Sequence, residues 1–361
     1  MNNYNIKNNT WQKFSRNKFA VFGLIIIIFI SIVALLGYLI MPDSTPMANN
    51  MAVQLSLKKP GSRFMMLKLP NKLTTKNEGL LQKVVSGAPT YFKEIPINNY
   101  KFVKENILID EYVGVEDKPL RKIYNSKNSK IVYKTFWLGT DIYGRDLLSR
   151  LILGARVSLA VGLMAVIISM LLGIFIGTIA GYFGGLIDNA LSWVMNILWA
   201  LPALLLVIAL SFALGKGLWQ IFFAVGLSMW VEVARLVRGQ VMSIKQAEYI
   251  EAARSLGFNN WRIMVNHIIP NIIGPILVLA SSNFAAAILL EAGLSFLGFG
   301  AQPPMPTWGG MIKEHYGYIV MDAAYLAIFP GLAIMILVYS FNLVTIGLRD
   351  AYDAKQQSIN L

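Results

Sequence analysis

The sequence predicts an all-α membrane protein with six transmembrane helices. Of its 361 residues, 56% are hydrophobic and only 14% are charged, whereas soluble domains carry roughly 25% charged residues. A helix needs about 20 apolar residues to cross the hydrocarbon core of a bilayer. Five long runs without a charged residue lie at 19–40, 157–181, 189–215, 268–290 and 323–348, and a shorter sixth run lies at 217–231.

The sixth run reaches the length of a span if residues 232–236 complete it at the interface. Glu232 and Arg235 are then expected to pair at i,i+3, and Pro202 is expected to kink the third span. Residues 292–312 are also uncharged, but they are rich in glycine and proline. A continuous helix of that content would leave peptide groups unpaired in lipid, so we expect a partly re-entrant segment buried against protein.

Basic residues predict the orientation of the chain. Residues 1–18 carry four cations and no acid, and short flanks rich in Lys and Arg stay in the cytoplasm. The N-terminus is therefore expected inside, and six spans return the C-terminus to the same side. The connection between spans four and five is then also cytoplasmic, which agrees with its cations Arg235, Arg238, Lys245, Arg254 and Arg262.

A hydrophilic stretch at residues 43–135 separates the first two spans. It carries 16 Lys and Arg against 8 Asp and Glu. Loops of this length cross the membrane largely regardless of charge, and residues 100–115 mix β-branched and aromatic side chains with charges. We expect a small extracytoplasmic domain, α+β or mostly β. Its basic charge favours solubility over a specific anionic partner.

Several kinds of chemistry find no support in the sequence. The chain has no cysteine, and His267 and His315 lack metal ligands at helical spacing, so no metal site is expected. The Gly-Lys-Gly at 215–217 lacks the upstream glycine and the following hydroxyl of a phosphate-binding loop. We therefore expect no catalytic residue, no cofactor bound by this chain and no nucleic-acid partner.

The most informative segment is the loop at residues 243–258. Ser243 with Gln246 three residues later forms a capping-box pattern, which predicts that a helix starts there. Gly257 suits the left-handed position that ends a helix. The loop therefore predicts a short, capped helix between two membrane spans.

The order of residues in this loop resembles the EAA loop of ATP-binding-cassette (ABC) import permeases. A Glu-Ala-Ala sequence is followed by glycine four residues after the second alanine, and then by Pro270. In that family the loop forms a coupling helix that docks on a separate ATPase subunit. We call residues 243–258 the EAA loop. The resemblance assigns the coupling contact to Glu251, Ala252, Ala253, Arg254 and Gly257.

Two further segments look like signatures of the dipeptide, oligopeptide and nickel permeases. With residues 347–350, they extend the resemblance over the first span and about 136–353, and they point to the C-type subunit, one of two non-identical permeases. The chain departs from the family at Trp193 and Asn196, where an arginine and an aspartate are common. The signature residues are Gly139, Thr140, Asp141, Gly144, Arg145 and Asp146 in the first segment, and Glu291, Ser295 and Gly298 in the second.

The resemblance implies a type I ABC importer permease with the insertion between helices 1 and 2. The expected domains are an N-terminal tail and first span (1–42), the insertion (43–135), a permease core with five spans and the EAA loop (136–353), and a cytoplasmic tail (354–361). The expected location is the bacterial cytoplasmic membrane. Expected partners are a second permease, two ATP-binding subunits that hold ATP and Mg, an extracytoplasmic peptide-binding protein and membrane lipid.

The resemblance therefore predicts a permease that forms half of a translocation path for di- or oligopeptides. A nickel or metal-chelate importer of the same family remains open, although no mid-span His or Cys supports it. An intramembrane peptidase would need paired aspartates, or a serine with a histidine, inside the spans. A self-sufficient channel would not need an exposed coupling helix.

Overall fold

The computed structural model describes residues 3–70, 79–88, 91–114, 119–125, 129–215 and 217–357. Residues 358–361 of the expected tail lie outside these ranges. The helices are α1 (Asn3–Arg16), α2 (Lys18–Leu35), α3 (Gly37–Ile40), α4 (Leu80–Ser86), α5 (Leu147–Phe183), α6 (Gly185–Trp199), α7 (Ala203–Leu214), α8 (Leu218–Ile244), α9 (Glu248–Ser255), α10 (Asn260–Ile263), α11 (Ile269–Leu297), α12 (Trp308–His315) and α13 (Tyr325–Gln357). The strands are β1 (Ser62–Pro70), β2 (Phe92–Val103), β3 (Asn106–Glu111), β4 (Leu120–Asn125) and β5 (Lys130–Phe136).

The described residues contain five helical segments that are long and apolar enough to cross a membrane, and one bent pair. The bent pair corrects the expected third span. Helices α6 and α7 meet at 95°, so the kink expected at Pro202 is a complete break. Pro202 is the N-cap of α7 and has a non-helical backbone (φ −57°, ψ 127°), and its nitrogen donates no hydrogen bond that could continue α6.

Contact clustering divides the chain into two compact units. Unit 1 comprises Met1–Ile30, Ser158–Gln302 and Ala333–Leu361, and unit 2 comprises Ser31–Val157 and Pro303–Leu332. Each unit is described separately below.

In unit 1, three glycines of α5 bring this helix very close to α8. They are spaced by four residues and share one helix face. A Cβ at Gly177 would lie 2.4 Å from the carbonyl oxygen of Ala234, and a Cβ at Gly181 would lie 2.8 Å from that of Arg238. A Cβ at Gly173 would meet the side chain of Val233 at 2.4 Å. Small residues at this spacing let membrane helices approach at the backbone.

An apolar core extends from this contact to the EAA loop. Ile250 and Ala253 of α9 are buried together with residues of α5, α8, α10 and α11. The short helix α9 is therefore fixed to the membrane helices through its apolar face. The buried members of the core are Met170, Tyr182, Val233, Val237, Val241, Ile250, Ala253, Ile263, Met264, Ile268, Ile272 and Ile276.

In unit 2, the hydrophilic stretch forms one antiparallel sheet with strand order β4-β3-β2-β1-β5. The β structure expected there is confirmed. The first residue of β1, Ser62, pairs with the last residue of β5, Phe136. The chain therefore enters and leaves the sheet at neighbouring positions. Its apolar face holds a small core of its own, formed by Leu67, Ile95, Ile97, Ile107 and Ile109.

The uncharged residues 292–312 are not one helix, as expected from their glycines and prolines. Helix α11 continues to Leu297 and ends at Gly298, whose φ of +94° is left-handed. The next helix, α12, begins only at Trp308, after the cis peptide bond between Pro303 and Pro304. Helix α12 is eight residues long, which is too short to cross a bilayer.

Gly177→Ala is expected to destabilise the protein by about 1–3 kcal/mol, because the new methyl group forces α5 away from the Ala234 carbonyl. Gly239→Ala in α8 is the matched control, since a Cβ there meets nothing within 4 Å. We expect it to be neutral or slightly stabilising. Thermal unfolding in detergent measures both variants, and equal midpoints would contradict the close packing of α5 on α8.

Candidate functional site

The helix of the EAA loop begins later than its sequence predicts. Helix α8 continues through Ser243 to Ile244, and α9 begins at Glu248 with Ala247 as an N-cap that provides no side-chain bond. The capping-box prediction is therefore wrong. Val241 is fully buried in the core of unit 1, so packing extends α8 past a pattern that in isolation would start a new helix.

The end of the EAA helix agrees with the prediction. Gly257 has a φ of +77°, and its N–H donates to the carbonyl of Arg254 at 3.0 Å. The N–H of Phe258 donates to the carbonyl of Ala253 at 3.1 Å. These two bonds form a Schellman motif, which requires a left-handed residue at the position of the glycine. Phe258 packs on the same core as Ala253.

Helix α9 has one anchored face and one free face. Ile250 and Ala253 are buried, whereas Glu251, Ala252 and Arg254 are exposed. Of the five coupling residues expected from sequence, Ala253 is buried, whereas Glu251, Ala252, Arg254 and Gly257 are exposed. The exposed side chains present one acid, one base and one methyl group to a partner.

The chain re-enters the core immediately after the EAA loop. Asn259 caps α10 by accepting a hydrogen bond from the N–H of Trp261 at 2.7 Å. Tyr182 at the end of α5 donates to Asn260 at 2.8 Å. A five-residue π-helical turn then leads into α11, where Pro270 lies in the first turn. Both ends of the EAA loop are therefore tied to long helices.

Helices α6 and α8 are joined by polar contacts that sequence reasoning missed. Arg238 binds Asp188 through two bonds of 2.5 and 2.6 Å. The expected pairing of Arg235 with Glu232 is wrong: Arg235 donates to Asn196 at 2.6 Å and lies over the ring of Trp199 at 4.2 Å. The departure from the family at Asn196 therefore provides a neutral acceptor for this guanidinium.

The first signature segment, residues 137–156, contains a buried ion cluster within unit 2. Asp141 is fully buried and accepts from Arg145 Nε at 2.5 Å. Arg145 Nη2 lies 3.1 Å from Glu314 of α12, and Arg150 lies 3.7 Å from both Asp141 and Glu314. Arg145 and Arg150 are each 2% exposed. Removing one member of such a cluster leaves a buried charge, which costs about 3–5 kcal/mol.

The glycines of this segment make room for a neighbouring backbone. A Cβ at Gly144 would lie 1.8 Å from the carbonyl oxygen of Ala52, and a Cβ at Gly139 would lie 2.4 Å from that of Lys58. Both glycines have positive φ. Thr140 accepts from the N–H of Lys58 at 2.8 Å, so the signature binds the segment that leads into the sheet.

Burial shifts the pKa of two titratable groups near the cluster. Burial raises the pKa of Asp146 above its ordinary value, although Ser149 donates two hydrogen bonds to it. Burial lowers the pKa of His315, and the nearby Asp141 and Glu314 oppose that shift. The Nδ1 atom of His315 bonds the Met311 carbonyl at 2.7 Å.

In the second signature segment, Glu291 and Ser295 are buried in unit 1. Glu291 is 1% exposed; its two oxygens accept from Ser158 at 3.2 Å and from Ser295 at 2.7 Å. Gly300 packs directly on Ser295. Among the described side chains, no group of three or more His, Asp or Glu residues could hold a metal ion.

Gly257→Ala is expected to loosen the end of α9, because a left-handed alanine costs about 1 kcal/mol. Gly257→Asn is the matched control, since asparagine tolerates this conformation and a Cβ meets nothing within 4 Å. Amide hydrogen exchange of residues 248–258 is expected to be roughly fivefold faster in the alanine variant than in the asparagine variant. Equal rates in the two variants would contradict the Schellman motif.

Comparison with known proteins identifies the family. Residues 173–358 match the family model described as binding-protein-dependent transport system inner membrane component. Residues 8–60 match the model described as N-terminal TM domain of oligopeptide transport permease C. The family expected from the EAA loop is thereby confirmed.

Individual relatives agree. Over 222 residues, 62% of this chain, identity is 44% to the glutathione transport system permease protein GsiD of Pectobacterium atrosepticum (73% of that protein) and 40% to the oligopeptide transport system permease protein OppC of Bacillus subtilis (72%). Among solved structures, the inward-facing MetNI methionine ABC transporter has a TM-score of 0.48 at 19% identity, over 57% of this chain and 97% of that chain. The chain belongs to the family of binding-protein-dependent transport system inner membrane components, within which it is a permease of the C type.

Proposed function

We propose that this chain is one permease subunit of an ATP-driven importer of dipeptides or oligopeptides. The observation that carries the proposal is α9, whose anchored face is built into the helical core while its exposed face remains available to a partner. The relatives support the cargo, since they are named for transport of glutathione, dipeptides and oligopeptides. All three kinds of cargo consist of amino acids joined by amide bonds.

In the proposed mechanism, energy enters through α9. ATP and Mg bind a pair of separate ATPase subunits, and closure of that pair displaces α9. Because Ile250 and Ala253 are packed against the long helices, α9 cannot move independently of α8 and α11. The displacement becomes a rigid-body motion of packed helices, which opens the path on one side and closes it on the other. Glu251, Ala252 and Arg254 contact the ATPase, and Gly257 shapes the loop.

The remaining partners follow from the family. A second, non-identical permease forms the other half of the path, and an extracytoplasmic binding protein delivers the peptide. The two signature segments have a structural role in this scheme. The ion cluster around Asp141 holds α12 to the start of α5 through Arg150 and Glu314, and the buried side chain of Glu291 ties α11 to α5 through Ser158.

The proposed topology has six spans, the sixth being the bent pair of α6 and α7, with both termini in the cytoplasm. The proposed domains are a tail with the first span (1–42), an outer insertion (43–135), a permease core (136–353) and an inner tail (354–361). The insertion contacts the binding protein or the paired permease. Its surplus of cations near the membrane is consistent with long-loop translocation.

Single-cysteine labelling tests this topology, because the chain has no cysteine of its own. Lys101→Cys lies on β2, and Arg262→Cys lies on α10; both positions are exposed. A membrane-impermeant maleimide is expected to label Lys101→Cys in intact spheroplasts and Arg262→Cys only after permeabilisation. The reverse pattern, or labelling of both before permeabilisation, would contradict the orientation.

Peptide uptake into proteoliposomes tests the function. The reconstituted importer, with ATP on the ATPase side and binding protein with labelled dipeptide on the other, is expected to accumulate peptide. Glu251→Ala is expected to lower the ATP-dependent rate roughly tenfold, as for loss of one charge-assisted contact. Glu248→Ala is the matched control, since it removes another exposed acid from the first turn of α9.

One result would contradict the proposal, and another would contradict only the role of Glu251. ATP-independent accumulation would indicate a channel or another energy source. Equal uptake by the Glu251→Ala and Glu248→Ala variants would show that α9 does not transmit energy through Glu251, although the chain would still be a peptide permease if uptake required ATP.

A further inference from the structure

One face of α2 is an exposed apolar surface. Phe22, Ile25 and Phe29 recur at helical spacing and are 57%, 58% and 65% exposed. The opposite face packs on α13, where a Cβ at Gly23 would lie 2.6 Å from the carbonyl oxygen of Ser340. On a membrane-spanning helix, an apolar stripe that the described residues of this chain leave uncovered is suited to lie against lipid chains.

A cation terminates this stripe. Lys18 is the first residue of α2 and lies four residues before Phe22, on the same face. Its side chain and that of Phe19 are both exposed. The end of a lipid-facing stripe marks the level at which acyl chains give way to headgroups, where Lys side chains are favoured. The end of the apolar stripe therefore indicates that Lys18 lies at the level of the lipid headgroups.

Helix α1 places an aromatic pair near the start of α2. Phe14 is 4% exposed and packs in a cluster with Ala20 and α13, and Trp11 stacks on it with ring centroids 5.7 Å apart. Trp11 is 61% exposed. Asn17 fixes the junction, since it caps α2 through the N–H of Ala20 and donates to Asp350. The exposed Arg16 immediately precedes this junction.

The positive charge around the junction of α1 and α2 favours an anionic ligand. Residues 11–18 carry Lys13, Arg16 and Lys18 and no acid, and the nearby Asp350 is preceded by Arg349. Guanidinium and ammonium groups bind phosphate oxygens, and an indole at this depth suits the membrane interface. We propose that Trp11, Arg16 and Lys18 form a binding site for the headgroup of an anionic phospholipid beside the first span.

An acidic protein surface is the competing occupant. The lipid is favoured because the site continues a stripe that faces acyl chains, so a headgroup reaches Lys18 while its own chains lie along Phe22 and Ile25. A protein partner at this position would have to cover the stripe as well. The proposal does not depend on which cargo the permease carries.

Fluorescence quenching in nanodiscs tests the site on the full-length chain. The emission of Trp11 is obtained as the difference between wild type and Trp11→Phe. At an equal small mole fraction in phosphatidylcholine, brominated phosphatidylglycerol is expected to quench Trp11 more strongly than brominated phosphatidylcholine. Two cations near a headgroup correspond to roughly thirtyfold enrichment of the anionic lipid. In Arg16→Gln/Lys18→Gln the difference between the two lipids is expected to disappear.

Arg262→Gln is the matched control, because it removes an exposed cation elsewhere and is expected to keep the preference for phosphatidylglycerol. Equal quenching of wild-type Trp11 by the two brominated lipids would overturn the proposal without any charge variant. A preference that persists in Arg16→Gln/Lys18→Gln would overturn the assignment to these two cations. Neither result bears on ATP-driven uptake, which is measured separately.

Discussion

The close contact of α5 with α8 is the constraint on which the rest of unit 1 depends. Lipid chains are as apolar as leucine, so membrane helices associate through close van der Waals packing and not through the hydrophobic effect. Gly173, Gly177 and Gly181 supply that packing by removing side chains from the contact. The contact fixes α8, whose end leads directly into the EAA loop. A short helix such as α9 would be marginal alone, and here the core supports it.

Polar contacts in this protein join elements of each unit in addition to their apolar packing. In unit 2, Glu314 of α12 meets Arg145 of the first signature segment. In unit 1, Glu291 of α11 accepts from Ser158 of α5, and Arg238 of α8 binds Asp188 of α6. Since each charged group is paired or hydrogen-bonded, its desolvation is offset, and the contacts specify which elements lie together.

Local patterns in the sequence predicted the parts of the fold that depend on local physics. Uncharged runs predicted the long helices, and Gly257 predicted the end of α9 because a left-handed backbone favours glycine there. Ser243 predicted a helix start that does not occur, because the burial of Val241 extends α8 beyond it. The pairing of Arg235 with Asn196 and that of Arg145 with Glu314 could not be predicted, because these acceptors lie 39 and 169 residues away in sequence and no periodicity relates them. The four-residue spacing of Gly173, Gly177 and Gly181 in α5 also predicts close helix packing from the sequence alone.

The most direct test of the coupling role of α9 is co-purification from the native membrane. The tagged wild-type chain is expected to carry both ATPase subunits and the second permease. Glu251→Ala/Arg254→Ala is expected to keep the permease and lose most of the ATPase, while Glu248→Ala keeps both. A wild-type chain that purifies alone, or a double variant that retains the ATPase subunits in full, would contradict the account.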